Sequence, residues 1–222
     1  MISRWSAHIL QILNVRLTIS GTIPTHESPA ALFVANHVSW LDVWAINTVR
    51  TVRFVAKSEV RQWPVIGWLS EQAGVIFIER ARRIDTSRVS GIGASALREG
   101  YCLCVFPEGT TSDGTHIYPF KSSLLQSAVD AGSWVWPIAL RYQLPDGAIN
   151  TAIAYAGETS LAESMAVILS QPQIHLHLDF SAPIPTEGLD RRELARRTEA
   201  IIASAARLPV RGAPGTISDH PA

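Results

Sequence analysis

Cysteine is nearly absent: Cys102 and Cys104 are the only two. They lie two apart in Tyr101-Cys102-Leu103-Cys104-Val105-Phe106, where a strand would point both to one side, and residues that close along one strand rarely bridge. They read as reduced core residues of a cytosolic protein rather than as a metal or redox pair. An excess of either charge is also lacking, since 19 basic residues face 19 acidic ones. That argues against nucleic acid as the main partner. Lysine is scarce: only Lys57 and Lys121 occur, and the other 17 basic residues are arginine. Arginine suits fixed, bidentate contacts to phosphate or carboxylate. No run of 18 uncharged apolar residues exists, so no transmembrane helix is expected. Met1–Gln11 has no clean apolar core and no cleavage site, so no signal peptide is expected either. A G-x-S-x-G elbow, a Walker loop and a dinucleotide glycine pattern are all missing. Covalent serine chemistry and nucleotide binding are therefore disfavoured. There is no internal repeat and no low-complexity domain.

What is present is an apolar, globular composition: 47% of the 222 residues are hydrophobic and 17% charged. That length suits one domain with a sizeable core. Seven tryptophans are many for this size. Packing accounts for most of them, and Trp also favours membrane interfaces.

The chain is organised around Asn36-His37-Val38-Ser39-Trp40-Leu41-Asp42. It follows Ala31-Leu32-Phe33-Val34-Ala35, a buried-strand pattern, and precedes the helical Val43-Trp44-Ala45-Ile46. Ligands of open α/β sheets sit outside the carboxyl ends of strands. If Ser39 caps the helix, Asp42 falls in its first turn and can hold one imidazole nitrogen of His37. The other nitrogen then faces a substrate as a general base. The same Ser39-x-x-Asp42 also fits a capping box that only stabilises a helix start.

In chain order, Ile2, Trp5, Ile9, Ile12 and Leu13 recur at helical spacing, with Arg4, His8 and Gln11 elsewhere on the wheel. That helix either packs on the core or lies on a membrane surface. Val15–Ser20 alternates as a strand. Strands are expected at Ala31–Ala35, Arg53–Lys57, Gly74–Arg80, Tyr101–Phe106 and Val135–Leu140, with helices over Leu41–Thr48, Thr86–Glu99 and Phe120–Ala131. A broken helix with a Trp63–Trp68 apolar patch lies between Glu59 and Gln72. Pro137 suggests an edge strand or a bulge. Ile149–Ala154 and Ile174–Phe180 look like strands. Asp190-x-x-Glu193 opens a last helix, whose Arg191, Arg192, Arg196 and Arg197 form a solvated face or touch anionic lipid.

This alternation predicts α/β architecture: a single domain with a largely parallel central sheet flanked by helices. Residues 1–20 hold the amphipathic helix and first strand, 21–207 the main domain, and 208–222 a Pro- and Gly-rich tail expected to be disordered.

Three further groups carry chemical signals. Phe106-Pro107-Glu108-Gly109-Thr110 ends a strand as the His37 turn does. There Glu108 can hold a hydroxyl or a cation, Gly109 lets a ligand approach the backbone, and Thr110 can donate a hydrogen bond. Arg80 ends another strand on the same side of the sheet; it belongs either to a solvated loop or to a pocket for an anionic head group. His175-Leu176-His177-Leu178-Asp179 has the look of a metal site. Its alternation with Ile174, Leu176, Leu178 and Phe180 fits a half-exposed strand better.

Four blocks now stand in order: His37-x4-Asp42, Gly74-x-Ile76-Phe77-Ile78-x-Arg80, Phe106–Thr110 and Val135-Trp136-Pro137-Ile138-Ala139-Leu140. Together they resemble the glycerolipid acyltransferases, the family of bacterial 1-acyl-glycerol-3-phosphate acyltransferases, from about Leu32 to Leu140. The resemblance implies a glycerol-3-phosphate acyltransferase-like fold and direct acyl transfer from a thioester to a lipid hydroxyl. His37 would be the base and Asp42 its orienter. Arg80 would hold the acceptor's phosphate, and Glu108, Gly109 and Thr110 would help place the acceptor. No metal and no resident cofactor are implied. The donor would be acyl-CoA or acyl carrier protein, the acceptor a lysophospholipid, and the place the cytoplasmic face of the inner membrane, bound peripherally.

Two features depart from the pattern. Thr111-Ser112-Asp113-Gly114 stands where the family often continues with arginine, a spelling that looks like branches acylating other lysolipids, including lyso-ornithine lipid. The N-terminal region is shorter than in many relatives, so membrane contact would fall to Trp5, Ile9 and the Trp63–Trp68 patch, or else the chain start is incomplete. Lysophosphatidate is the leading acceptor and a lyso-aminolipid the alternative. A metal-dependent hydrolase using His175, His177 and Asp179, and a non-enzymatic lipid-binding module, are the more remote readings.

Overall fold

The computed structural model describes residues 2–57, 76–78 and 83–212. Its centre is β2 (Ala31–Ala35), all five residues of which are buried. A continuous apolar run is what a strand needs when helices cover both faces of a parallel sheet. Around it the sheet runs in the order β1 (Val15–Gly21), β7 (Ile174–Phe180), β6 (Trp134–Gln143), β2, β5 (Leu103–Val105), β3 (Arg53–Lys57) and β4 (Ile76–Ile78). A short β8 (Ile184–Pro185) also pairs with β6. Pairing is parallel throughout except where β6 meets β7 and β8.

Helices cover both faces. On one side α1 (Ile2–Ile12), α2 (Leu41–Val49) and α5 (Leu161–Ser170) bury Leu10, Leu41, Ile46 and Ile168 against Phe33, Trp136, Leu140, Leu176 and Phe180. On the other, α3 (Arg83–Arg98), α4 (Gln126–Ala131) and α6 (Arg191–Ala206) bury Leu97, Ala128, Leu194 and Ile202 against Leu32, Val34, Leu103 and Val135. Each fully buried large side chain contributes about 1.5–3 kcal/mol of transfer free energy. The expected architecture, a mainly parallel sheet flanked by helices, is what forms.

Local signals account for the element ends. Asp190 caps α6 by accepting the Arg192 and Glu193 N–H groups at 2.7 and 2.9 Å. Ser160 and Glu163 form a reciprocal capping box at the start of α5. At Gly21 (φ 84°) β1 turns away from β7, and an added Cβ would lie 2.1 Å from the Phe180 carbonyl oxygen.

Several expectations are corrected. Pro137 lies in a central strand rather than at an edge. It pairs with Val34 on one side. On the other side β8 pairs with Trp134 and Val135 and β7 takes over at Ile138, so the missing N–H falls where the partner changes. Ile149–Ala154 is a bridge and a 3-10 turn (Thr151–Ile153), not a strand. Phe120–Ala131 is a 3-10 turn followed by the short α4. The first strand belongs to the main sheet. After α6, Leu208 is buried, and Ile117 pairs with this segment through Pro209 O and Arg211 N–H at 2.9 and 2.8 Å. Residues 213–222, the Trp63–Trp68 patch and Arg80 lie outside the described residues.

Candidate active site

β2 and β5 are parallel neighbours, with Leu32, Phe33 and Val34 opposite Leu103, Cys104 and Val105. Their carboxyl ends therefore open side by side, and the His37 and Glu108 loops leave from adjacent points. Asn36 makes the exit from β2 possible. Its buried side-chain amide donates to Leu140 O at 3.0 Å and accepts from Leu140 N–H at 2.8 Å. The side chain thus continues the β2–β6 ladder while the backbone turns away.

The turn that follows is fully bonded. The His37 N–H donates to Glu108 Oε1 at 2.7 Å, and the His37 carbonyl accepts from Ser112 N–H at 2.8 Å. The Val38 carbonyl accepts from Tyr155 N–H at 2.8 Å. Asp42 Oδ2 accepts three donors: His37 Nδ1 at 2.8 Å, Val38 N–H at 2.8 Å and Ser39 N–H at 3.0 Å. Asp42 Oδ1 accepts the Tyr142 hydroxyl at 2.6 Å. Ser39 does not cap α2, whose N-cap is Trp40 with no side-chain bond. One half of the capping box survives in the Ser39 N–H bond to Asp42, so helix-end stabilisation and histidine orientation share one carboxylate.

A carboxylate only accepts hydrogen bonds, so Nδ1 carries a proton; in the neutral ring the lone pair is then on Nε2. Asp42 is fully buried, while the His37 side chain keeps 21% exposure. The ring stacks on Phe106, centroids 3.9 Å apart and planes 10° apart, and Phe106 stacks on Phe54. Backbone, carboxylate and aromatic face together leave the imidazole one orientation.

Glu108 is 2% exposed. Its Oε2 accepts the Tyr118 N–H at 2.8 Å, so the carboxylate ties the His37 turn to the segment just after the isolated Ile117 bridge. Burial pushes its carboxyl from the ordinary 4.5 up to about 7, against the two backbone bonds that favour the anion. Gly109 takes φ 75° in the turn between them, and its N–H bonds Phe106 O. Thr110 is exposed. Thr111, at the arginine position, turns its hydroxyl onto the Tyr155 carbonyl. His37, Asp42, Glu108, Gly109 and Thr110 are thus brought together. Cys102 and Cys104 are free and buried. Burial, and then the Asp42 charge, raise the Cys104 thiol well above its usual range.

The contacts reach further than the motifs. Phe106, Tyr142 and Tyr155 all hold His37, its aspartate or its loop, and none was singled out for that from the sequence. Tyr142 was traceable: it follows Leu140 on the core face of β6, and a buried tyrosine hydroxyl needs a partner.

The 35% level of identity decides the family. Over 198 residues, 89% of this chain and 75% of the relative, the sequence is 35% identical to a Pseudomonas aeruginosa lyso-ornithine lipid O-acyltransferase. Over 195 residues, 87% and 76%, it is 35% identical to a 1-acyl-sn-glycerol-3-phosphate acyltransferase of Neisseria meningitidis. Residues 15–141 match the acyltransferase family model. The chain belongs to the acyltransferase family. The crystal structure of the 1-acyl-sn-glycerophosphate (LPA) acyltransferase from Thermotoga maritima superposes with a TM-score of 0.71 at 24% identity, covering 93% of this acyltransferase and 77% of that chain. That likeness speaks for the fold.

The His175–Asp179 strand of this acyltransferase is a polar sheet face. Arg141 donates to His177 Nδ1 at 3.1 Å, which leaves Nε2–H for Ser20 Oγ at 2.7 Å, and Ser20 donates to Asp179 at 2.6 Å. Burial, then Arg141, lower the His177 pKa. Among the described residues no three His, Cys, Asp or Glu side chains converge as a metal site.

Proposed function

We propose that this acyltransferase moves a fatty acyl group from the thioester of acyl-CoA or acyl carrier protein directly to a lysolipid hydroxyl. The observation that carries the reading is the 2.8 Å bond from His37 Nδ1 to a buried, four-fold bonded Asp42. His37 Nε2 takes the acceptor hydroxyl proton as its oxygen attacks the thioester carbonyl. Asp42 stabilises the imidazolium that forms. The tetrahedral intermediate collapses, the carbon–sulfur bond breaks, and the Nε2 proton passes to the leaving thiolate. The products are an ester and a thiol, with no acyl-enzyme. Such a base contributes about 10²–10⁴-fold, on top of the gain from holding two substrates together.

Gly109 and the exposed Thr110 offer the acceptor a backbone surface and a hydroxyl. Glu108 acts through the His37 peptide. Arg80 is assigned to the acceptor's anionic head group. Lysophosphatidate, giving phosphatidate, remains one acceptor. A specific observation favours the second, a lyso-aminolipid such as lyso-ornithine lipid: Thr111 is uncharged and its hydroxyl is committed to Tyr155. The enzyme is assigned to the cytoplasmic face of the inner membrane as a peripheral protein. Among the described residues no helix is long and apolar enough to cross a membrane. A panel of lysolipids with both donors, read by mass spectrometry, tests the acceptor. Ester formation on lyso-ornithine lipid supports the second reading, and strong preference for lysophosphatidate overturns it.

A further inference from the structure

The family match ends at Arg141, one residue before the side chain that completes the site. Tyr142 lies near the end of β6, 2% exposed, and its backbone is fixed by pairing with Leu176 of β7 and by the Asn150 N–H bond to its carbonyl at 3.0 Å. Its hydroxyl donates to Asp42 Oδ1 at 2.6 Å, the shortest of the four bonds that carboxylate accepts. The other three donors all sit on Oδ2 and come from residues 37–39 of the same turn. Among the described residues, Tyr142 alone reaches Asp42 from outside that turn, from β6.

We propose that Tyr142 is a positioning residue of this acyltransferase, acting through Asp42 to fix the plane and the charge of the carboxylate that orients His37. The proposal rests on His37 and Asp42 acting as base and orienter. Two consequences follow. Without the hydroxyl, Oδ1 is left buried and unpaired and the carboxylate can rotate, so the imidazole loses its single orientation. The phenol also draws negative charge from Asp42. Once it is gone, the carboxylate holds the imidazolium more tightly and the free base is reached only at higher pH. Among the described residues, the titratable groups around Asp42 are His37 in the turn, Cys104 on β5, Glu108 in the neighbouring loop and Tyr142 itself. Glu108 and Cys104 are the same in both proteins and cancel in the comparison.

The test compares Tyr142→Phe, Asp42→Asn and the double variant of the full chain, with acyl-CoA and the lysolipid that the wild type uses best. Tyr142→Phe is expected to lower kcat about tenfold, the rate equivalent of one charge-assisted hydrogen bond, with KM unchanged. It is also expected to move the acid limb of the kcat profile to higher pH. In the Asp42→Asn background the same change is expected to alter kcat less than twofold, because its effect runs through the carboxylate. An unshifted acid limb, or an equal loss in both backgrounds, overturns the proposal. If Asp42→Asn is badly impaired and Tyr142→Phe matches the wild type, the role of Tyr142 falls while the base assignment stands. If Asp42→Asn keeps full activity, both fall. Should Tyr142→Phe not fold, 3-fluorotyrosine at position 142 keeps the shape and donates more strongly. The acid limb should then move to lower pH, and no movement overturns the proposal.

Discussion

At the scale of single residues, the site places two carboxylates within one hydrogen-bonded unit and gives them different tasks. Asp42 collects four donors and orients an imidazole; Glu108 collects two backbone N–H groups and braces the peptide that carries it. Burial dominates at Glu108 and raises its carboxyl to about 7. The folded protein therefore binds the Glu108 proton more tightly than the unfolded chain, whose carboxyl titrates near 4.5. The stability gained from that proton is full below about pH 4.5 and is lost as pH rises to about 7. Glu108→Gln removes the titration, so the melting temperature of wild type minus variant should fall across that window and be flat above it. A difference that does not vary with pH would contradict the burial argument. Glutamine also sets an NH2 group against one of the two N–H donors, His37 or Tyr118, which costs about 1–3 kcal/mol and should lower kcat through the displaced turn.

At the scale of elements, the site depends on two parallel strands ending together. β2 and β5 were legible because Ala31–Ala35 and Leu103–Val105 are unbroken apolar runs, and their motifs follow at once. The helix start at Asp190 was legible from its capping signal, and the one at Leu41 from the apolar Val43–Ile46 run rather than from its cap. Ser39 failed as a cap because Asp42 reaches back to its N–H instead, a competition that spacing cannot resolve. Pro137 misled because a strand with two successive antiparallel partners tolerates a missing donor at the changeover. Ile149–Ala154 was apolar enough for a strand, yet it forms a turn that carries Tyr155 to the Val38 carbonyl. The pairing by Asn36 spans 104 residues and had no local signal. Asn36→Ala would leave Leu140 N–H and C=O without that partner, and the expected loss is about 1–3 kcal/mol in denaturant unfolding. A variant as stable as the wild type would show that water replaces the amide.

For the whole molecule, the question is how a protein with these described helices meets a lipid substrate. α1 buries Leu10 and Ser6 against the body and leaves Ile12 67% exposed. Its Trp5 meets Trp44 of α2 edge-on at 5.2 Å and remains 44% exposed. One side of the helix thus serves core packing, and the exposed Trp5 and Ile12 mark the side that a membrane contact would use. Trp5→Glu with Ile12→Glu should weaken binding to anionic vesicles at least tenfold and leave the melting temperature within a few degrees, since both side chains are exposed. Unchanged vesicle sedimentation would remove α1 from the membrane account.

The central claim is that His37 Nε2 is the base of a direct transfer. Its most direct test is the initial rate of lysolipid acylation from acyl-CoA, followed by mass spectrometry, for the wild type and for His37→Ala of matched melting temperature. Loss of at least 100-fold in the variant, with no acylated protein in either, is the result predicted here. A folded His37→Ala variant that turns over at the wild-type rate would contradict it.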